Sequence, residues 1–186
     1  MESKNIFDIE IENVLQTLNK GGVFLYPTDT IWGIGCDATN DKAVEKIYKI
    51  KQRADHKAFI SLVHSKQQLK QITGLIPKFD ISSQPTTIIY PQAKILSKKI
   101  LGKDGSAGIR LTNDKFCKNI IKKFGKPIVS TSANISGTKH ANNFSEISQE
   151  IKKNVDYIVD LCTNKLMTKP SRIFFLTKDG NFQKIR

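Results

Sequence analysis

Three observations predict an α/β fold with helices packed on a mixed sheet. Short apolar runs of four or five residues alternate with segments whose apolar residues recur at helical spacing. Glycines and prolines punctuate the joins between them. Two polar, glycine-bearing stretches, Tyr26–Ala38 and Ser130–Gly137, each follow a strand-like run. Such loops are where open α/β sheets bind ligands, because backbone N–H groups and helix dipoles point there.

Ile11, Val14, Leu15 and Leu18 predict an amphipathic helix over 8–20, stopped by Gly21-Gly22. Residues 22–26 read as a strand closed by Pro27. A second extended piece over 31–36 is interrupted by Gly33 and Gly35, where glycine permits close backbone approach. Asp41 reads as the N-cap of a helix carrying Val44, Ile47 and Tyr48 into Lys51. A strand over 59–63 precedes a helix that starts at Ser65 and runs through Leu69 and Ile72. A strand over 86–90, a helix over 93–101 and a strand over 106–111 follow. Phe116, Ile120, Ile121 and Phe124 mark a basic helix over 113–124 that stops at Gly125. A strand over 127–131 opens into the second polar stretch. A helix over 144–151 and strands over 157–161, 172–176 and 182–185 complete the pattern. With no internal repeat and no linker, residues 1–186 are expected to form a single domain.

Thirty basic residues face 17 acidic ones, a formal charge of +13 spread along the chain. That balance suits RNA or a phosphate-rich substrate, although solvated lysine explains it equally well. Arginine is scarce: Arg53, Arg110, Arg172 and Arg186. In a lysine-rich chain an arginine suggests a planar, two-pronged grip on phosphate or carboxylate. The cysteines Cys36, Cys117 and Cys162 and the histidines His56, His64 and His140 are scattered, without disulfide or metal-ligand spacing. Cys36 reads as a small buried strand residue before it reads as a reactive thiol. The start of the chain lacks a secretory apolar region, and no run approaches the roughly 18 residues that span a bilayer. A cytoplasmic, membrane-free protein is expected.

Lys51 and Arg53 leave the end of a predicted helix in different directions. Alone, they satisfy a helix dipole. Ser130-Thr-Ser132-Ala-Asn134 alone is a polar turn, and Arg110 alone a salt-bridged strand residue. No Gly-x-x-x-x-Gly-Lys-Ser/Thr phosphate loop is present, and Gly33-Ile-Gly35 by itself is a weak signal.

Taken in order, Tyr26-Pro-Thr-Asp-Thr-Ile-Trp-Gly-Ile-Gly35, Lys51-x-Arg53, Gly108-Ile-Arg110 and Ser130-Thr-Ser-Ala-Asn-Ile-Ser-Gly137 resemble the YrdC/Sua5 family, in its short, single-domain branch. The resemblance covers about residues 9–176. It implies a YrdC-like fold, a twisted mixed sheet with flanking helices and a concave basic face. It also implies a nucleotidyltransferase, an L-threonylcarbamoyladenylate synthase. Such an enzyme forms threonylcarbamoyl-AMP and pyrophosphate from L-threonine, bicarbonate and ATP, for the modification of tRNA at t6A37. No protein nucleophile is needed for that reaction. By the resemblance, Lys51, Arg53, Ser132 and Asn134 form the catalytic, phosphate-holding set, and Ser106 approaches the nucleotide. Thr28, Thr30, Arg110, Ser130 and Ser171 line the threonine pocket, with Arg110 on the carboxylate. Mg2+ arrives with ATP, without a protein-held structural metal. Implied partners are tRNA or other RNA and the downstream tRNA threonylcarbamoyltransferase proteins.

The chain departs from the family pattern at three places. Ala54 stands where proline usually follows Lys-x-Arg. The Trp-Pro-Gly-Pro-x-Thr element reads Ser82-Ser-Gln-Pro-Thr-Thr87, and the late Ser-Thr-Ile reads Ser171-Arg172-Ile173. Two other functions share the resemblance: an RNA-binding translation module without turnover, and an adenylating enzyme for another carbamoyl substrate. The first conflicts with the absence of an RNP-like aromatic run, the second with the absence of zinc-finger and acylphosphatase-like segments. A Lys51→Ala change is expected to lower turnover and leave the melting temperature within a few degrees.

Overall fold

The computed structural model describes residues 5–53, 58–77, 83–177 and 180–185. Ala54, His56, Ser82 and Arg186 lie outside them. Among the described residues five α-helices and nine strands follow in chain order: α1 (Ile6–Asn19), β1 (Phe24–Tyr26), β2 (Gly33–Gly35), α2 (Asp41–Ile50), β3 (Ile60–Val63), α3 (Lys66–Thr73), β4 (Thr86–Tyr90), β5 (Ala107–Leu111), α4 (Lys115–Phe124), β6 (Ile128–Ser132), α5 (Gln149–Asn154), β7 (Tyr157–Ile158), β8 (Arg172–Leu176) and β9 (Phe182–Lys184). The strands make one mixed sheet in the order β7-β1-β2-β6-β3-β5-β4-β8-β9. The pairs β1–β7, β3–β5 and β4–β8 are parallel, and the rest antiparallel.

Strand alternation splits the core into two layers, as successive side chains must point to opposite faces. Leu25, Ile34, Val63, Ile109 and Val129 pack with α2, α3 and α5 on one face. Phe24, Tyr26, Leu62 and Ile128 pack with α1 and α4 on the other. On β6 the second stripe begins with Ile128 and continues, two residues at a time, through Ser130 and Ser132. The stripe changes from core to polar within one strand.

Helix ends follow capping chemistry. Asn5, Ser65 and Asp114 cap α1, α3 and α4, and Gly74 and Gly125 end α3 and α4 in the left-handed conformation that glycine adopts without strain. Asn40, not Asp41, caps α2: its side chain accepts from the Lys42 and Ala43 amides. Asp41 instead accepts a hydrogen bond from the Ser97 hydroxyl.

The helix expected over 93–101 shrinks to a three-residue 3-10 turn, Lys98–Ile100. Tertiary partners take the backbone donors a helix would need: Lys94 N–H donates to Ile72 and Ser97 N–H to Ala38. Ile95 is held at φ 73°. Likewise the helix expected over 144–151 begins only at Gln149. Asn143 accepts from the Glu146 amide and Glu146 from the Asn142 amide, local turns that compete with a helix.

Candidate active site

A cavity of about 470 Å3 opens over the polar stripe, lined from β2, β3, β5, β6, β8 and the loops beside them. Thr30, Arg53, Arg110, Ser130, Ser132, Asn134 and Ser171 all border it. Seven of the ten residues singled out in the sequence therefore meet, from segments more than a hundred positions apart.

Arg110 forms one end. It is 3% exposed, and β5 projects it beside Thr87 of β4. Its Nη1 donates to Thr30 Oγ1 at 3.1 Å, and its Nη2 lies 3.3 Å from Asp29 Oδ1. Guanidinium only donates and the Ile31 carbonyl only accepts, so the Thr28 proton goes to that carbonyl and the other directions follow. Thr30 accepts from Arg110 and gives its own proton to Thr28 Oγ1 at 2.8 Å. Thr28 in turn donates to the Ile31 carbonyl at 2.8 Å. Among the described residues Thr30 keeps one unfilled lone pair and no spare donor. Burial raises the Asp29 carboxyl above its usual range, while the Arg110 charge pulls it back down. Ser171 completes this end, its hydroxyl 2.9 Å from Thr87 Oγ1.

The lysine and arginine of Lys51-x-Arg53 part company as expected, because Gln52 adopts φ 50° and reverses the chain at the end of α2. Arg53 turns to the cavity and lies over the Phe59 ring, 5.0 Å from its centroid. Phe59 stacks in turn on Tyr48 at 4.4 Å. Lys51 turns inward and is 2% exposed. Its ammonium donates to the carbonyls of Ser132 at 2.5 Å and Asn134 at 2.6 Å, and its own carbonyl accepts from Ser136 N–H at 2.9 Å. Lys51 is thus a three-point staple on the 130–137 loop and does not border the cavity. Burial, and next the Arg53 charge, lower its pKa to about 7.

Asn134 is held by its own amide, which donates to Ile135 O at 3.0 Å and Thr138 O at 2.6 Å. With both N–H groups spent, its buried Oδ1 has no hydrogen-bond partner among the described residues. What Asn134 retains is an acceptor.

Two expected residues fall elsewhere. Thr28 stands behind Thr30, its oxygen occupied by the Thr30 and Ile31 amides as well. Ser106 closes a turn with Gly102 and Asp104 at the start of β5. Four residues of strand, about 13 Å, separate it from Arg110, and it does not border the cavity. The close approach at Gly35 also proves internal: a Cβ there would lie 2.8 Å from Tyr26 and 2.9 Å from the Val129 carbonyl. Cys36 is fully buried with its thiol pushed up by that burial, which argues against a reactive thiolate. The departure at Arg172 points away from the cavity, since its Nη2 meets Thr86 while Ser171 and Ile173 line the wall.

Sequence reasoning missed Lys139, His140 and Pro170 on the wall, and Asp29 behind it. Position held the signal: Asp29 sits between two singled-out threonines, and Lys139 lies five residues beyond Asn134.

The family model described as "Telomere recombination", of Sua5, YciO and YrdC, matches residues 16–186. The chain belongs to this family. It is 36% identical over 158 residues to a protein named threonylcarbamoyl-AMP synthase from Pseudoalteromonas translucida, covering 81% of this chain and 84% of that protein. A protein of the same name from Psychromonas ingrahamii is 33% identical over 175 residues, covering 89% and 91%. Among solved structures, Sua5 of P. abyssi complexed with L-threonine superposes with a TM-score of 0.77 at 22% identity, covering 95% of this chain and 53% of that one. E. coli YciO superposes at 0.76 with 23% identity, covering 95% and 87%. Those two share the mixed α/β fold described above.

Proposed function

We propose that this chain is an L-threonylcarbamoyladenylate synthase, as its curated relatives are named. One observation carries the reading: a single cavity is bordered by Arg110 with the Thr30 acceptor beside it, and by Ser132, Asn134 and Arg53, which makes no ion pair among the described residues. The first pair suits a free amino acid, with Arg110 donating to the carboxylate and the Thr30 lone pair accepting from the amine or side-chain hydroxyl. The second suits the phosphates of ATP.

Chemistry then needs no protein nucleophile. Threonine's amine adds to CO2, giving a carbamate and releasing a proton. A carbamate oxygen attacks the α-phosphorus, and the bond to the β,γ-phosphates breaks so that pyrophosphate leaves. The protein positions both reactants and stabilises charge on the departing group. Among the described residues no three metal-ligating side chains cluster. In this reading Mg2+ travels with ATP, and the Asn134 oxygen suits a hard cation held mainly by phosphates.

The remaining parts of the reading have other support. The charge of +13 favours tRNA as a contact, on a basic face, and threonylcarbamoyltransferase proteins would take up the labile product. The reading includes a cytoplasmic enzyme of one domain, and none of the helices in the described residues is long and apolar enough to cross a membrane.

The test is pyrophosphate release from ATP, Mg2+ and bicarbonate, with threonine present, omitted or replaced by serine. Threonine-dependent release that disappears in Arg53→Ala and Asn134→Ala is the expected outcome. Tight tRNA binding without any turnover would instead identify a non-catalytic module.

A further inference from the structure

We infer that Lys139 and His140, together with Arg53, hold the departing pyrophosphate end of the nucleotide. The inference rests on the synthase reading and assigns a second group of residues to its leaving group.

Charge is the first reason. The cavity wall contains Arg53, Arg110, Lys139 and His140 but no carboxylate among the described residues. Arg110 is neutralised from behind by Asp29, and the Lys51 ammonium is committed to two carbonyls. Neither Arg53 nor Lys139 makes an ion pair among the described residues. A group leaving with several negative charges would otherwise face a single uncompensated cation. Lysine supplies a point charge to phosphate oxygens, and imidazole carries at least one N–H donor in either tautomer.

Anchoring is the second reason. The pair is tied on both sides. Ahead of it, Asn134 Nδ2 donates to Thr138 O, Thr138 N–H and hydroxyl both donate to Ile135 O, and Gly137 turns the chain at φ 85°. Behind it, Ala141 is buried and Asn142 O accepts from Met167 N–H at 2.7 Å. The Lys51 staple therefore fixes one loop that carries Ser132, Asn134, Lys139 and His140 together.

The experiment compares Lys139→Glu, Lys139→Ala, His140→Ala and Lys139→Arg, with Lys118→Ala on the exposed side of α4 as the control for general surface charge. Steady-state kinetics with Mg-ATP, threonine and bicarbonate are paired with calorimetric titration of Mg-pyrophosphate. Lys139→Glu should raise the KM for ATP and weaken pyrophosphate binding about tenfold, the alanine variants about threefold. Lys139→Arg should stay near wild type. The KM for threonine and the melting temperature should hold in all of them. Unchanged ATP and pyrophosphate affinities in folded variants overturn the proposal, as does an equal loss in Lys118→Ala. Weaker tRNA retention with intact pyrophosphate affinity assigns the pair to RNA instead, and also overturns it. If the wild type makes no threonylcarbamoyl-AMP but Lys139→Glu still weakens pyrophosphate binding, the synthase reading fails and the anion site stands.

Discussion

Arg110 and Arg53 border the same cavity and are held in opposite ways. Arg110 is buried, tied by Thr30 and balanced by Asp29. Arg53 is half-buried, rests on an aromatic ring and has no counter-ion among the described residues. A paired, buried guanidinium offers fixed direction with little net field, which suits choosing a small zwitterion. An unpaired one keeps its full charge for a polyanion whose charge grows during the reaction.

The contrast predicts different costs. Arg110→Ala leaves the partly buried Asp29 without its cation, so stability should fall by roughly 3–5 kcal/mol, about ten degrees or more in thermal unfolding. Arg110→Lys keeps the charge and loses the fork. It should remain folded while the KM for threonine rises about tenfold. Should Arg110→Ala melt like wild type, the ion pair contributes nothing and the asymmetry disappears.

Arg53→Ala should lower kcat/KM about 10²–10³-fold, the scale of one lost charge donor in a preorganised site. Its melting temperature should move by only a few degrees, because the ring contact contributes about 0.5–1 kcal/mol. A large stability loss here would make Arg53 structural.

Lys51→Met should act on both properties. Removing a donor from two buried carbonyls costs about 1–3 kcal/mol and loosens the loop that carries Ser132 and Asn134. Thermal melts of Lys51→Ala test the expectation that stability stays within a few degrees while turnover falls. The pH dependence at Lys51 has a definite sign. Folded Lys51 titrates near 7, below its ordinary value of 10.5. Between those values the unfolded chain binds the extra proton, so wild-type stability relative to Lys51→Met should grow as pH rises from 7 to 9. A neutral amine retains two N–H groups, enough for both carbonyls. Thermal melts of both proteins across that range check the sign, and a shrinking difference would contradict it.

Much of this was legible in the linear chain, for physical reasons. The strands over 86–90 and 172–176 were readable because β-branched and aromatic residues cluster there between breakers. The polar stretches were readable because serine, threonine and asparagine following a strand have few structural uses in such density. The expected helices over 93–101 and 144–151 are shortened at their starts, to Lys98–Ile100 and from Gln149 onward, since long-range and side-chain partners capture the backbone donors of 93–97 and 144–148. Asp29 was passed over because a carboxylate between two threonines says nothing of a cation eighty residues away.

By itself the order of residues determined the periodicity of each element, the capping chemistry, and which side chains could serve phosphate or carboxylate. Those are local properties, decided by neighbours within a turn or a strand. Only the tertiary structure decided that Lys51 faces inward while Arg53 faces the cavity, that Arg110 meets Asp29, and that Lys139 joins the wall. Direction and charge balance depend on which distant groups are brought within about 4 Å, and folding alone sets that distance.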